Sequence, residues 1–126
     1  MLKDTWGLYQ WFPEYGEDMI YIDDLEKFKE LSPNGKVFKC IDENKDYLFL
    51  VYGEEIYRVK LDLYKQVEKP LFQIGDKVKL IKDSSQEVII LEVSWHYKNN
   101  EPIYYISSNG KKKSSRYTNK DFVHIE

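Results

Sequence analysis

The chain has 126 residues, of which 42% are hydrophobic, 16% aromatic and 33% charged, with a formal charge of −3. That balance supports a packed core under a wet surface, in one ordinary domain or two very small ones, and excludes a disordered chain. The longest apolar run, residues 47–52, is far too short to span a bilayer, so no membrane partner is expected.

Met1-Leu2-Lys3-Asp4-Thr5-Trp6 lacks the apolar segment and small-residue cleavage site of a secretory signal, and a cytoplasmic location is expected. Residues 6–13 then place five large apolar side chains in eight positions before Pro13, Tyr15 and Gly16 break any regular element. Large aromatics are mostly core material, so this segment is read first as lying across a barrel or the junction of two. The second reading is an exposed aromatic anchor for a partner, with Trp6, Tyr9 and Trp11 as its contacts.

Asp23-Asp24-Leu25-Glu26 has the pattern of a capping box, and Leu25, Phe28 and Leu31 repeat at helical spacing. One short helix is predicted over 24–31, ended by Ser32-Pro33-Asn34-Gly35. From Val37 the period becomes two, and 37–41, 47–52 and 56–63 read as a three-stranded antiparallel meander. In the third of these strands Tyr57, Val59, Leu61 and Leu63 alternate with Arg58, Lys60 and Asp62, which predicts one buried face. The single cysteine, Cys40, permits no internal disulfide and is expected to be a buried, inert thiol.

Glu68-Lys69-Pro70 is the best linker, giving domains 1–69 and 70–126. After it come a strand from Gly75 to Ile81, a long strand over 87–97, its return over 103–107, a basic strand over 111–117 and a closing piece over 121–125. Turns at Asp83-Ser84-Ser85 and Asn109-Gly110 separate them.

Gly75-Asp76-Lys77-Val78, the long strand over 87–97, and Asn119-Lys120-Asp121-Phe122-Val123 follow one another in an order that resembles an SH3-like barrel of the Tudor or KOW type, over residues 72–125. Two echoes link the halves: Gly35-Lys36-Val37 with Gly75-Asp76-Lys77-Val78, and Asp62-Leu63 and Val67 with Asp121-Phe122 and Ile125. The expected fold is therefore mainly β: two tandem small SH3-like barrels packed together, with one short N-terminal helix. The alternative is one mixed sheet with the helix on its face. The Trp-Gly-Leu-Tyr-x-Trp start, the acidic Asp-Asp-Leu helix and a late Trp-His-x-Lys followed by Asn-Gly-Lys-Lys also resemble a family of small uncharacterised bacterial proteins.

Function is less legible. His96 and His124 have no second ligand at metal spacing, and no nucleophile motif or phosphate loop is present, so neither an enzyme nor a cofactor is expected. Residues 1–69 carry 10 Lys/Arg against 15 Asp/Glu, a net of −5; residues 70–126 carry 9 against 7, a net of +2. The leading expectation is a non-catalytic binding or adaptor protein, perceived as an accessory or immunity-type protein of a bacterial system. It would engage another protein through Glu17, Asp18 and Glu26 and the aromatic segment. The rival is nucleic-acid binding through the basic hairpin, with Lys98, Lys111, Lys112, Lys113, Arg116 and Lys120 interleaved with tyrosines. Oligomeric state is left open.

Overall fold

The computed structural model describes residues 1–125, and its chain divides into two compact units between Lys69 and Pro70. Each unit is built on a five-stranded antiparallel sheet. In the first, β1 (Thr5–Tyr9), β2 (Val37–Glu43), β3 (Leu48–Tyr52), β4 (Glu55–Val59) and β5 (Tyr64–Val67) lie in the order β4-β3-β2-β1-β5. In the second, β6 (Lys77–Leu80), β7 (Glu87–His96), β8 (Glu101–Ser108), β9 (Lys111–Lys112) and β10 (Phe122–His124) lie in the order β10-β6-β7-β8-β9. The two orders are the same: the last strand of each unit returns to pair with its first. Each return runs through a 3-10 turn, Leu61–Leu63 or Asn119–Asp121. Each second strand also carries a bulge, between Cys40 and Asp42 or between Ile90 and Glu92, and a bulge bends its strand. The mainly β class with a single short helix, in two barrel-like units, is the architecture of the described residues.

The repeat is offset from where the sequence places it. Asp62-Leu63 and Asp121-Phe122 do fall at the matching return, one residue out of step: Leu63 ends its 3-10 turn, whereas Phe122 opens the strand after its own. Val37, however, opens the second strand of its unit, whereas Lys77 opens the first of its own. The true first strand is Thr5–Tyr9, within the aromatic segment. It pairs with β2 on one side and β5 on the other, so Leu8 and Tyr9 are buried.

Gly7 is at the middle of β1 because the ring of Tyr64 lies over it. A Cβ at Gly7 would stand 2.4 Å from Tyr64 Cε1 and Cζ. The ring cannot swing away freely: its hydroxyl is 2.8 Å from Thr5 Oγ1, which itself donates to the Leu2 carbonyl at 2.6 Å. Burial pushes the Tyr64 phenol up to about 12. Gly7→Ala is expected to lower stability by about 1–3 kcal/mol, the range for overpacking, read as a lower urea midpoint with unchanged slope.

Between β1 and β2 the chain makes three 3-10 turns and α1 (Leu25–Leu31). The helix delivers Leu25 and the fully buried Phe28 to the core. Phe28 is ringed by Tyr9 at 5.9 Å, Trp11 at 6.0 Å, Phe38 at 5.9 Å and Tyr57 at 5.2 Å between ring centroids. Ser32 caps the helix in the left-handed region, φ 56°, and Pro33 follows. The expected capping box does not form. Asp24 holds the N-cap position without a side-chain cap hydrogen bond, since its carboxylate is committed to Arg58.

Three further expectations are corrected. The strand expected over 56–63 stops at Val59, and Leu61, in the 3-10 return, is 55% exposed. The strand expected over 111–117 keeps only Lys111–Lys112, with Tyr117 rejoining the sheet through a bridge to Tyr104. The strand expected over 87–97 ends at His96: Trp95 is buried, whereas Tyr97 falls in the turn after β7 and is 51% exposed. The core of the second unit closes on Phe72, Tyr104 and Phe122, whose ring centroids are 5.5–5.8 Å apart.

Candidate binding surfaces

The first surface lies on the segment between β1 and β2. Trp11 anchors it: the indole Nε1–H donates to the Gly16 carbonyl at 3.0 Å, and the Trp11 backbone N–H donates to Asn34 Oδ1 at 2.7 Å. Gln10 Oε1 accepts from the Gly35 N–H at 2.7 Å, tying both ends of the segment together. Pro13 opens a 3-10 turn that ends at Gly16, φ 112°. That turn leaves Phe12 45% exposed and Tyr15 54% exposed, with ring centroids 5.7 Å apart in an edge-to-face pair. Beside them is a hollow of about 310 Å³ lined by Trp11, Phe12, Pro13, Lys29, Ser32, Pro33 and Asn34.

Of the three aromatics singled out in the sequence, two are structural. Tyr9 is fully buried and its hydroxyl donates to the Lys60 carbonyl at 2.6 Å; Trp11 is almost fully buried. Both are core, and Trp11 meets the surface only as part of the lining of that hollow. Trp6 is half-buried, with Lys39 Nζ at 5.1 Å and Lys69 Nζ at 4.9 Å from its ring, a cation–π arrangement. The three acids are exposed. Glu17 and Glu26 converge on Lys29, at 2.7 and 3.7 Å. Hydrogen bonding to Glu17 holds the Lys29 ammonium above its ordinary range. Sequence reasoning missed Phe12 and Tyr15 as the exposed pair, although Pro13 and Gly16, which turn them outward, were visible signals.

A second hollow, of about 430 Å³, is lined by Asp24, Lys27, Phe49, Glu54, Glu55, Ile56 and Arg58. Four of its five charged groups, all but Glu54, are paired with one another. Asp24 accepts from Arg58 Nε at 2.8 Å, from a terminal guanidinium nitrogen at 3.0 Å and from the Arg58 backbone N–H at 2.9 Å. The guanidinium lies 4.0 Å from the Tyr21 ring, and Lys27 reaches Glu55 at 3.3 Å. This is a structural tie.

The third surface is the basic arm of the C-terminal unit, and its residues do not form one patch. Lys98 lies in the turn after β7, next to the His96↔Glu101 pair, whereas Lys111 and Lys112 pair with Ser108 and Ser107. Six residues of β8 separate those positions, about 20 Å at strand spacing. Lys112 is also neutralised, since its Nζ pairs with Glu92 and sits 5.4 Å from the Tyr105 ring. Lys111, Lys113, Arg116 and Lys120 remain exposed. Arg116 and Tyr117 join Leu80, Lys82, Ser115 and Asp121 around a hollow of about 330 Å³, which brings in Lys82 and Ser115, neither of them singled out by sequence.

The two histidines and the cysteine are engaged locally. His96 Nδ1 accepts from the Asn99 N–H, the His124 ring lies 4.6 Å from Phe72, and burial pushes the Cys40 thiol up. Among the described residues no three of His, Cys, Asp or Glu stand close enough to hold a metal ion. No helix among them is long and apolar enough to cross a membrane.

Fold and surfaces together define a mainly β protein of two barrel-like units with open hollows on their faces. Residues 1–123 match the model of a family of unknown function, DUF6960, and the chain belongs to that family. No curated protein and no solved structure matches the chain.

Proposed function

We propose that the chain is a non-catalytic, cytoplasmic binding protein whose N-terminal unit engages another protein through the segment between β1 and β2. The observation that carries this reading is the exposed Phe12–Tyr15 pair beside its hollow, on a unit of net charge −5. Two exposed aromatics held by a proline turn supply contact area at little entropic cost. Glu14, Glu17, Asp18, Glu26 and Glu30, all exposed, surround them in sequence, with Lys29 already paired. The partner is accordingly a protein with a basic surface that presents an apolar side chain to the hollow. We also assign both units to the SH3-like type, on their common strand order and the 3-10 turn before each last strand.

The test is co-purification from the native host with three forms of the full chain. Wild type is expected to retain a basic protein. The pair Phe12→Ser/Tyr15→Ser and the reversal Glu17→Lys/Asp18→Lys/Glu26→Lys are each expected to lose it, with the near-UV circular dichroism unchanged. The double serine variant should weaken binding at least tenfold, since exposed aromatic anchors commonly carry 2 kcal/mol or more, roughly, of an interface. Retention of the same protein by both variants would sink the proposal.

A further inference from the structure

The end of β6 and the stretch from Ser115 to Asp121 enclose the C-terminal hollow of about 330 Å³. Lys82 and Arg116 stand at it, both exposed, and neither forms an ion pair with a described residue. The lining holds one acid, Asp121, whose Oδ2 is occupied: it accepts from the Thr118 backbone N–H at 2.7 Å and closes a capping box. The lining therefore keeps a net charge of +1, and Lys113 and Lys120 are exposed on either side of Arg116 in the chain. The aromatic wall is fixed. Tyr117 exchanges backbone hydrogen bonds with Tyr104 at 2.8 and 3.1 Å, and its ring packs against Phe122 at 5.5 Å.

Unpaired cations, a hydroxyl, an apolar residue and a fixed aromatic ring around a space of this size suit a ligand that carries both a negative group and a planar ring. We propose that this hollow binds a single nucleotide unit, with its phosphoryl group on Lys82, Ser115 and Arg116 and its base against Tyr117 and Leu80. A free mononucleotide and one position of a single strand share that chemistry. A base within a duplex does not, because both its faces are already stacked. This site is separate from the aromatic surface of the N-terminal unit, and either proposal can fail without the other.

The experiment titrates the full chain, at about 50 mM salt where phosphate contacts are strong, with uridine monophosphate and with a uridine oligomer, followed by calorimetry. Saturable binding is expected. Arg116→Gln and Lys82→Gln should each weaken it about tenfold, the size of one lost charge-assisted contact. Lys98→Gln, at the other end of the hairpin, should change it less than about twofold, as a distant exposed charge is screened. Tighter binding of the oligomer than of the monophosphate assigns the site to a single strand; equal binding assigns it to the free nucleotide. The proposal is overturned if neither ligand binds, if Lys98→Gln weakens binding as much as Arg116→Gln, or if poly-glutamate binds as tightly as the oligomer.

Discussion

Phe28→Ala should remove about 3–5 kcal/mol of stability, the range for deleting a buried aromatic side chain. Phe28 is fully buried and lies within 6.0 Å of four other aromatic rings, contributed by β1, β2, β4 and the segment after β1. Two of the four neighbours are held away from the space by hydrogen bonds, Tyr9 by its hydroxyl to Lys60 and Trp11 by its indole to Gly16. A unit of this length has a total stability of about 3–10 kcal/mol, so the loss is a large share of the whole. The N-terminal unit holds Trp6 and Trp11 and the C-terminal unit Trp95, which makes the effect assignable. A denaturant titration read at Trp6 and Trp11, with Trp95 replaced by phenylalanine, should show the midpoint fall sharply. Phe28→Leu should cost about a third as much, since most of the apolar volume stays. An unchanged midpoint for Phe28→Ala would mean that the aromatic ring of rings is not the core of the unit.

Asp24→Ala is expected to be the second most damaging change, at about 3 kcal/mol. The Asp24 side chain is 3% exposed and the Arg58 side chain 35%, so the aspartate is the desolvated partner. Truncating it strands the Arg58 backbone N–H and the guanidinium together. Breaking such a pair costs about 3–5 kcal/mol when both members are buried; the access of Arg58 to water places this one at the lower end. The pH dependence has a definite sign. Burial by itself raises the Asp24 carboxyl, but the hydrogen bonds from the Arg58 side chain and backbone, with the charges of Arg58 and Lys27, outweigh it and hold the group below the ordinary range. The stabilisation is therefore complete above the unfolded value of about 3.9 and is lost as pH falls through the lower folded value. Urea midpoints of wild type and Asp24→Ala should differ most at neutral pH and converge below about pH 4. A gap that stays constant down to pH 2 would contradict the ion-pair account.

The acidic surface shows how far residues alone can be read. Glu17 and Glu26 were legible as exposed charge near a short helix, and they do meet on one lysine. The aromatic half of the same surface was not. Trp6, Tyr9, Trp11, Phe12 and Tyr15 are equally apolar on paper, and only the pairing of β1 between β2 and β5 sends Tyr9 inward while the proline turn sends Phe12 and Tyr15 outward. In the basic arm, charge count suggested a single patch, but strand register separates Lys98 from Lys111 and places Glu92 against Lys112.

What the sequence by itself determined is local in origin. The mainly β class, the short helix on Leu25, Phe28 and Leu31, and the turn at Asn109-Gly110 follow from period and backbone preference, which act between near neighbours. Tertiary structure alone decided which strand comes first in the N-terminal unit, that Asp24 ties to Arg58 instead of capping its helix, and that Lys82 joins Arg116 at one hollow. Each of these depends on residues more than thirty positions apart, 34 in the case of Asp24 and Arg58. Their meeting is set by strand order and register, which local periodicity does not encode.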